Sequence, residues 1–290
     1  METVKIQSSY DGKMQNAYFY PSSAGEKKPL IVSLHPWSFD YTYVKDHSSL
    51  AKMVEEENWN FIYPDFRGPN NSPESCLSEA VIMDIDDAIA YAIKNANVDE
   101  KKIVVTGVSG GGMATLGVYM RSSYELSLCM AWCPISDLEA WYHQSKYAES
   151  KYWHDILQVT SSDDTFNIEE ARKRSPLFTY PVSHSKNTKI ELYSGINDGY
   201  TGSVPILHTI LFYNKIAKHW GAKKVDLVLD NDIISLLSRS IKECECNEYI
   251  GDRKVLYEKC FKNIKMVIFN GGHEILSAYT FSRIKQICLS

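Results

Sequence analysis

Four glycines and a serine crowd residues 107–112 in the stretch VVTGVSGGGMATLGVYM. Such a run can cradle a phosphate, bind a dinucleotide, or hold a nucleophile on a tight turn. The dinucleotide fingerprint G-x-G-x-x-G fails in both frames. Counted from Gly107, Ser109 takes the place of the second glycine; counted from Gly110, Thr115 takes the last. A phosphate loop, G-x-x-x-x-G-K-[ST], finds its spacing in Gly107 and Gly112, but Met113 stands where a lysine must pair with phosphate oxygens. G-x-S-x-G fits, as Gly107-Val108-Ser109-Gly110-Gly111. That motif sets a serine on a strained strand-to-helix turn with its hydroxyl exposed, and side chains at Gly107 and Gly111 would crowd the bend. The Gly110 amide then lies at a helix N-terminus, able to donate to a developing oxyanion. Gly112 is assigned to close packing of the helix start. A chance match would make only a tight turn, but strand-like KKIVVTG before it and helix-compatible MATLGVYMRS after it point to a nucleophile.

A nucleophile on such a turn is expected to be followed along the chain by an acid and then a histidine. His208 and His219 fall inside an amphipathic helical stretch and read as packing or surface residues. His273 follows the apolar run MVIF in the loop NGGHE, and the carboxyl end of a strand is where a base belongs in an α/β sheet. HEILS does not make a zinc-protease helix, because Ser277 replaces the second histidine of H-E-x-x-H. For the acid, Asp198 in INDGYTGSVP is favoured; Asp230 and Asp232 in VLDNDII compete, and Asp232 also reads as a helix N-cap.

The bulk properties narrow the remaining classes. A net charge of −5 over 290 residues argues against a nucleic-acid surface. No stretch approaches the roughly 20 apolar residues of a membrane span. The opening METVKIQSSYDGKMQNAYFYP lacks the basic-then-apolar order of a signal peptide, so a cytoplasmic location is expected. Among seven cysteines, Cys129 and Cys133 in LSLCMAWCP read as core filler. Cys244 and Cys246 form a C-x-C upstream of Cys260, but no histidine lies between Trp220 and Gly272 to complete a zinc site, so no metal is expected.

These candidates must be positioned by a scaffold, and the chain alternates short β-branched runs with longer helical patterns. Residues 4–8 and 16–21 predict an antiparallel pair around Asp11-Gly12, and the apolar run 29–35 predicts a strand covered on both faces. A helix over VKDHSSLAKMVEEENW, a strand over 60–65, and a helix carrying Val81, Ile82, Ile85, Ala88, Ile89 and Ala92 on one stripe follow. LSLCMAWCP, KIELYSG and KMVIFNG supply further strands. SVPILHTILFYNKIAKHW predicts a helix with Ser203 as cap, Pro205 in its first turn and Gly221 past its end. The alternation predicts an α/β fold with a mainly parallel sheet flanked by helices, in one domain over 1–290. Residues 135–182, polar, aromatic-rich and mostly helical, break the rhythm and are expected to form a cap. Residues 230–262, helical and charged, are expected to be a surface insertion.

With SLHPW, DFRG, VDEKKIVVTGVSGGG, RSPL, YSGINDGYTGSVP and FNGGHE in this order, the chain resembles α/β-hydrolases of the prolyl-oligopeptidase-like serine hydrolase and esterase group. The resemblance covers roughly residue 30 to the C-terminus. It implies the α/β-hydrolase fold, Ser109 as nucleophile, His273 as base and Asp198 as the group that orients the imidazole, with no cofactor. It also implies an oxyanion hole of the Gly110 amide and one from the loop after SLH. Many relatives carry His-Gly-Gly there, whereas this chain has His35-Pro36-Trp37; proline offers no amide, which narrows the second donor to Trp37, preferred, or Ser38.

Family peptidases place a large domain before the catalytic one, and about 29 residues precede the first core strand here. The expected activity is therefore hydrolysis of an acetyl or other acyl ester of a small molecule or oligosaccharide. A small peptidase is the alternative, and a silent hydrolase-fold binding protein is the reading from another class. Of the cap aromatics Trp141, Tyr142, Tyr147, Tyr152 and Trp153, Trp153 is taken with Tyr200 as the candidate substrate-binding pair. Oligomeric state is left open.

Overall fold

The computed structural model describes residues 1–23, 25–161, 165–241 and 248–289, so Cys244 and Cys246 lie outside the described residues. The chain opens with β1 (Glu2–Gln7) and β2 (Met14–Tyr20), paired antiparallel. β3 (Lys28–Leu34) is buried along nearly its whole length, as a strand covered on both faces must be. The helical stretch that follows is divided. α1 (Val44–His47) ends at Ser48, whose extended backbone breaks the helix and whose hydroxyl accepts from the Ala51 N–H to cap α2 (Ser49–Glu56). After β4 (Asn60–Pro64), Ser78 caps α3 (Glu79–Asn95), which buries the predicted apolar stripe.

β5 (Val98–Val108) passes through Ser109 directly into α4 (Gly110–Arg121). β6 (Leu128–Trp132) leads into the predicted cap region, which holds α5 (Leu138–Tyr147), α6 (Tyr152–Thr160) and α7 (Ile168–Lys173) before the chain returns as β7 (Lys189–Gly195). α8 (Leu207–His219), α9 (Asp230–Leu237), β8 (Tyr249–Ile250), β9 (Arg253–Phe261), β10 (Ile264–Phe269) and α10 (Ser277–Leu289) complete the fold.

Among the described residues ten strands form one sheet, ordered β1-β2-β4-β3-β5-β6-β7-β10-β9-β8. From β4 to β10 each neighbouring pair is parallel, and both flanks are antiparallel. α3, α4, α8 and the cap cover one face; α2 and α10 cover the other. Parallel strands end on one edge of a sheet, so the loops after β3, β5, β6, β7 and β10 gather there. The edge of the molecule is tied in by charge. Arg67, of DFRG, sends its buried guanidinium to Asp84 of α3 (2.6 Å) and to Asp11 of the opening hairpin (2.8 Å).

Three expectations need correction. α8 begins at Leu207, behind Pro205, and no side chain caps it. Asp232 is not an N-cap: α9 starts at Asp230, and the Asp232 carboxylate accepts from the Tyr257 hydroxyl at 3.0 Å. Residues 230–262 are not only a helical insertion, because β9 joins the main sheet against β10. Its sequence, RKVLYEKCF, mixes charges with apolar residues since only Val255 and Leu256 of the strand are buried.

Candidate active site

The turn at Ser109 is built by what the glycines leave out. A Cβ at Gly107 would lie 2.5 Å from the Gly111 carbonyl carbon, and one at Gly111 would run into the Leu34 carbonyl oxygen. At Gly112 it would meet the Trp132 carbonyl oxygen at 2.7 Å and the Pro134 Cα at 3.1 Å, the close packing expected of this position. Ser109 itself has φ +59° and ψ −118°, a conformation that costs about 1–3 kcal/mol in a non-glycine residue. Its N–H donates to the Trp132 carbonyl at 2.9 Å and its carbonyl accepts from Met113 at 2.8 Å, so strand and helix clamp the strained residue between them.

Ser109 and His273 line one cavity of about 340 Å³. Trp37, Phe39, Tyr43, Val108, Tyr152 and Ile275 give it an aromatic and aliphatic wall. Two larger clefts, of about 510 and 490 Å³, lie along α3 among Glu79, Asp86, Asp87 and Arg121, and neither contains Ser109 or His273.

Behind the cavity His273 Nδ1 lies 2.8 Å from Asp198 Oδ2. The Asp198 side chain is fully buried, and its other oxygen accepts from the amides of Gly199 (2.9 Å) and Val204 (3.0 Å). Those two bonds aim the carboxylate at the imidazole. Gly202 leaves room for the pair, since a Cβ there would press on the Asp198 carboxylate and on the His273 Cβ. The His273 loop is held by Glu274, whose Oε1 accepts from the Gly272 N–H at 3.1 Å. Arg253 of β9 forks onto the same carboxylate, Nε to Oε1 at 3.2 Å and Nη2 to Oε2 at 3.0 Å.

On the opposite side of Ser109 the loop after β3 packs against the helix start. A Cβ at Gly110 would lie 2.5 Å from the Trp37 nitrogen, so these two backbones are in direct contact beside the serine. His35 is buried against the Phe66 ring at 3.8 Å, with Nε2 2.7 Å from the Asp65 carbonyl, and burial pushes its ring below the usual imidazole pKa.

The other residues singled out from the sequence fall elsewhere. Trp153 does not face the cavity. It packs within the cap, edge-on to Tyr142 with Lys146 over its ring. Neighbours on a helix point about 100° apart, and it is Tyr152 that reaches the cavity. Tyr200 is 77% exposed on the loop after β7, under the Arg239 guanidinium at 3.6 Å, and is not part of the cavity wall. His208 is buried. Its Nδ1 accepts from the Ser136 N–H at 3.2 Å, its Nε2 meets Gln144 at 3.0 Å, and burial pushes its pKa down to about 4. Asp230 starts α9, and the carboxylate bonded to His273 is that of Asp198.

Cys133, read from the sequence as core filler, stands behind the His–Asp pair with φ +45°. Its Sγ lies 3.8 Å from the Gly272 carbonyl and 3.7 Å from that of Glu274. Cys133, Asp198 and His273 bring ligand-type atoms within 4.8 Å of one another. Burial, reinforced by the nearby carboxylate, pushes the thiol far above its ordinary value and keeps it protonated. Asp198 is committed to His273 and to two amides, so its carboxylate serves the imidazole, with the Cys133 thiol packed behind the pair. The only sequence signal for this role was position: the residue following a core strand at the functional edge.

A serine on a strand-to-helix turn, with an acid–histidine pair from later loops of the same parallel sheet, defines an α/β-hydrolase. The sequence model of the prolyl oligopeptidase family matches residues 48–232, and the chain belongs to this family of serine hydrolases. It is 26% identical to the protein YfhR of Escherichia coli (strain K12) over 115 residues, 40% of each chain. Among solved structures it is similar to the acylaminoacyl peptidase of Pyrococcus horikoshii, with 17% identity and a TM-score of 0.62 over 99% of this chain and 40% of that one. It is also similar to a puromycin-hydrolyzing peptidase of Mycobacterium tuberculosis, with 14% identity and a TM-score of 0.62 over 99% and 38%. The chain thus spans about two fifths of the length of these relatives.

Proposed function

We propose that this protein hydrolyses a carboxylic ester of a small molecule or short oligosaccharide through Ser109, His273 and Asp198. The observation that carries the reading is the hydrogen bond between the fully buried Asp198 side chain and His273, behind a cavity whose wall includes the strained Ser109. In the first step Ser109 Oγ attacks the substrate carbonyl carbon while His273 Nε2 takes its proton, and Asp198 holds Nδ1–H and stabilises the imidazolium. The amides of Gly110 and Trp37 receive the negative charge on the carbonyl oxygen. Collapse expels the alcohol, which leaves with the proton from His273. Water, deprotonated by the same imidazole, then attacks the acyl-serine and restores the enzyme. The aromatic and aliphatic wall, with no free cation among the described lining residues, suits an uncharged acyl or aryl group. The proposed setting is the cytoplasm.

Peptide or amide cleavage is the second reading, favoured by the peptidases among the structurally similar proteins. A panel of acetylated sugars, p-nitrophenyl esters and aminoacyl-anilides separates the two. Turnover of the acetylated sugars without measurable anilide cleavage supports the first reading, and anilide cleavage without turnover of the sugars supports the second; the activated p-nitrophenyl esters report only that acylation occurs. Ser109→Ala is expected to lower turnover of either by at least about 10³-fold. Full turnover in that variant would exclude the mechanism.

A further inference from the structure

Trp37 is one residue past a proline, in a loop that must keep a backbone amide aimed at a point beside Ser109. A loop amide wanders unless its own residue is anchored, and a donor misplaced by about 1 Å can cost 10²-fold in rate. The anchoring of Trp37 is unusual in its source. Its carbonyl accepts from the Asn70 backbone N–H (2.8 Å) and side-chain amide (3.3 Å), both from the body of the fold. Its buried indole N–H instead donates to Asp155 Oδ2 at 2.9 Å, across 118 residues of sequence, and Asp155 belongs to α6 of the cap. The indole also stands edge-on to Trp141 of α5, with centroids 4.7 Å apart, and Trp141 stacks on Tyr152 at 4.8 Å. The Trp141 indole N–H in turn donates to the Ser203 carbonyl at 2.8 Å, next to Val204, whose amide holds Asp198.

We propose that Asp155 is a positioning residue for the oxyanion hole: through the Trp37 indole, the cap sets the direction of the Trp37 amide. This rests on the hydrolase mechanism above. The physical argument is that a buried indole N–H bonded to a carboxylate is a strong, directional contact, and losing the acceptor leaves the donor unsatisfied. The cheapest relief is for Trp37 to rotate or shift, which carries its amide off the oxyanion. Substrate binding on the cavity wall is less sensitive to that shift than the tetrahedral intermediate, so the rate falls while KM holds.

The test compares wild type, Asp155→Ala, Asp155→Asn and Trp37→Phe with p-nitrophenyl acetate and with a fluorophosphonate probe, whose phosphoryl oxygen needs the same hole. Asp155→Ala is expected to lower kcat and the labelling rate by about tenfold or more, with KM within about threefold of wild type. Asparagine keeps an acceptor oxygen and is expected to recover most of the loss. Trp37→Phe removes the same bond from the other side, and the double variant Trp37→Phe/Asp155→Ala is expected to be no slower than the worse single variant. If kcat and labelling survive Asp155→Ala, or if KM alone rises, the carboxylate merely holds the cap and the proposal fails. Should Asp155→Ala not fold, Trp37→Phe carries the decision: kcat and labelling lowered about tenfold support the proposal, and wild-type values for both overturn it. Failure of the underlying mechanism looks different: wild type itself would resist the probe, or Ser109→Ala would retain turnover.

Discussion

Ser109 occupies its strained backbone because three carbonyls and a helix turn close around it, and the glycines beside it are there to admit those carbonyls. Gly112 tests how tight that closure is. Replacing a helical glycine by alanine should stabilise by roughly 1 kcal/mol through helix propensity. Here the new Cβ would lie 2.7 Å from the Trp132 carbonyl oxygen and 3.1 Å from the Pro134 Cα, both backbone atoms that cannot rotate away. Overpacking of this kind costs about 1–3 kcal/mol, so the clash outweighs the propensity gain. Gly112→Ala is therefore expected to lower stability in urea denaturation, whereas an unchanged or raised midpoint would mean that β6 can yield. The same closeness explains what a reader of the sequence could and could not see. A serine ringed by glycines after a strand has few other uses, so Ser109 was legible, and so were Asp198 and His273 as polar residues in glycine-bearing loops at strand ends. Cys133 and Asp155 were not, because a cysteine in an apolar run and an acid on a helix look alike whatever they touch, and their partners arrive from distant segments.

At the level of elements, the parallel strands were readable from their continuous apolar runs, and α3 from its stripe and serine cap. β9 escaped because a strand with only Val255 and Leu256 buried carries charges that mimic a helical surface pattern. That strand matters to the site. Arg253 at its start forks onto Glu274, and Glu274 braces the Gly272 amide one residue before His273. An exposed pair of this type adds little to global stability. Its effect is on the loop. Arg253→Met is expected to leave the melting temperature close to wild type and to reduce kcat several-fold, as the His273 loop samples conformations that break the bond to Asp198. Unchanged kcat would assign the fork to the surface alone. Loss of stability without loss of kcat would place its role in pinning β9 to the sheet.

For the molecule as a whole, the α5–α7 segment is not a separate lid laid over a finished fold: it is hydrogen-bonded into the loop after β3 through Asp155, into the loop after β7 through Trp141, and into α8 through Gln144 and His208. The last of these makes the assembly acid-sensitive in a defined window. Burial lowers the His208 pKa from 6.5 to about 4, and its Nδ1 accepts the Ser136 N–H only while unprotonated. The unfolded chain titrates this imidazole near 6.5, so between that value and about 4 the unfolded state takes up a proton that the native site refuses. Stability from this group is complete above pH 6.5 and drains away as the pH falls towards 4. Linkage between those two pKa values makes the loss about 2 kcal/mol from pH 7 to pH 5. His35, also lowered by burial, adds a loss of the same sign. His208→Asn replaces the imidazole by an amide whose oxygen can accept the Ser136 N–H and whose charge does not change in this range. That variant is expected to be less stable than wild type at pH 7, through lost packing, yet to lose about 2 kcal/mol less than wild type on going to pH 5. Urea titrations of both proteins at pH 7, 6 and 5 measure the difference directly. Parallel losses in the two would show that the proton enters elsewhere, and that the cap–α8 contact is not what acid first undoes.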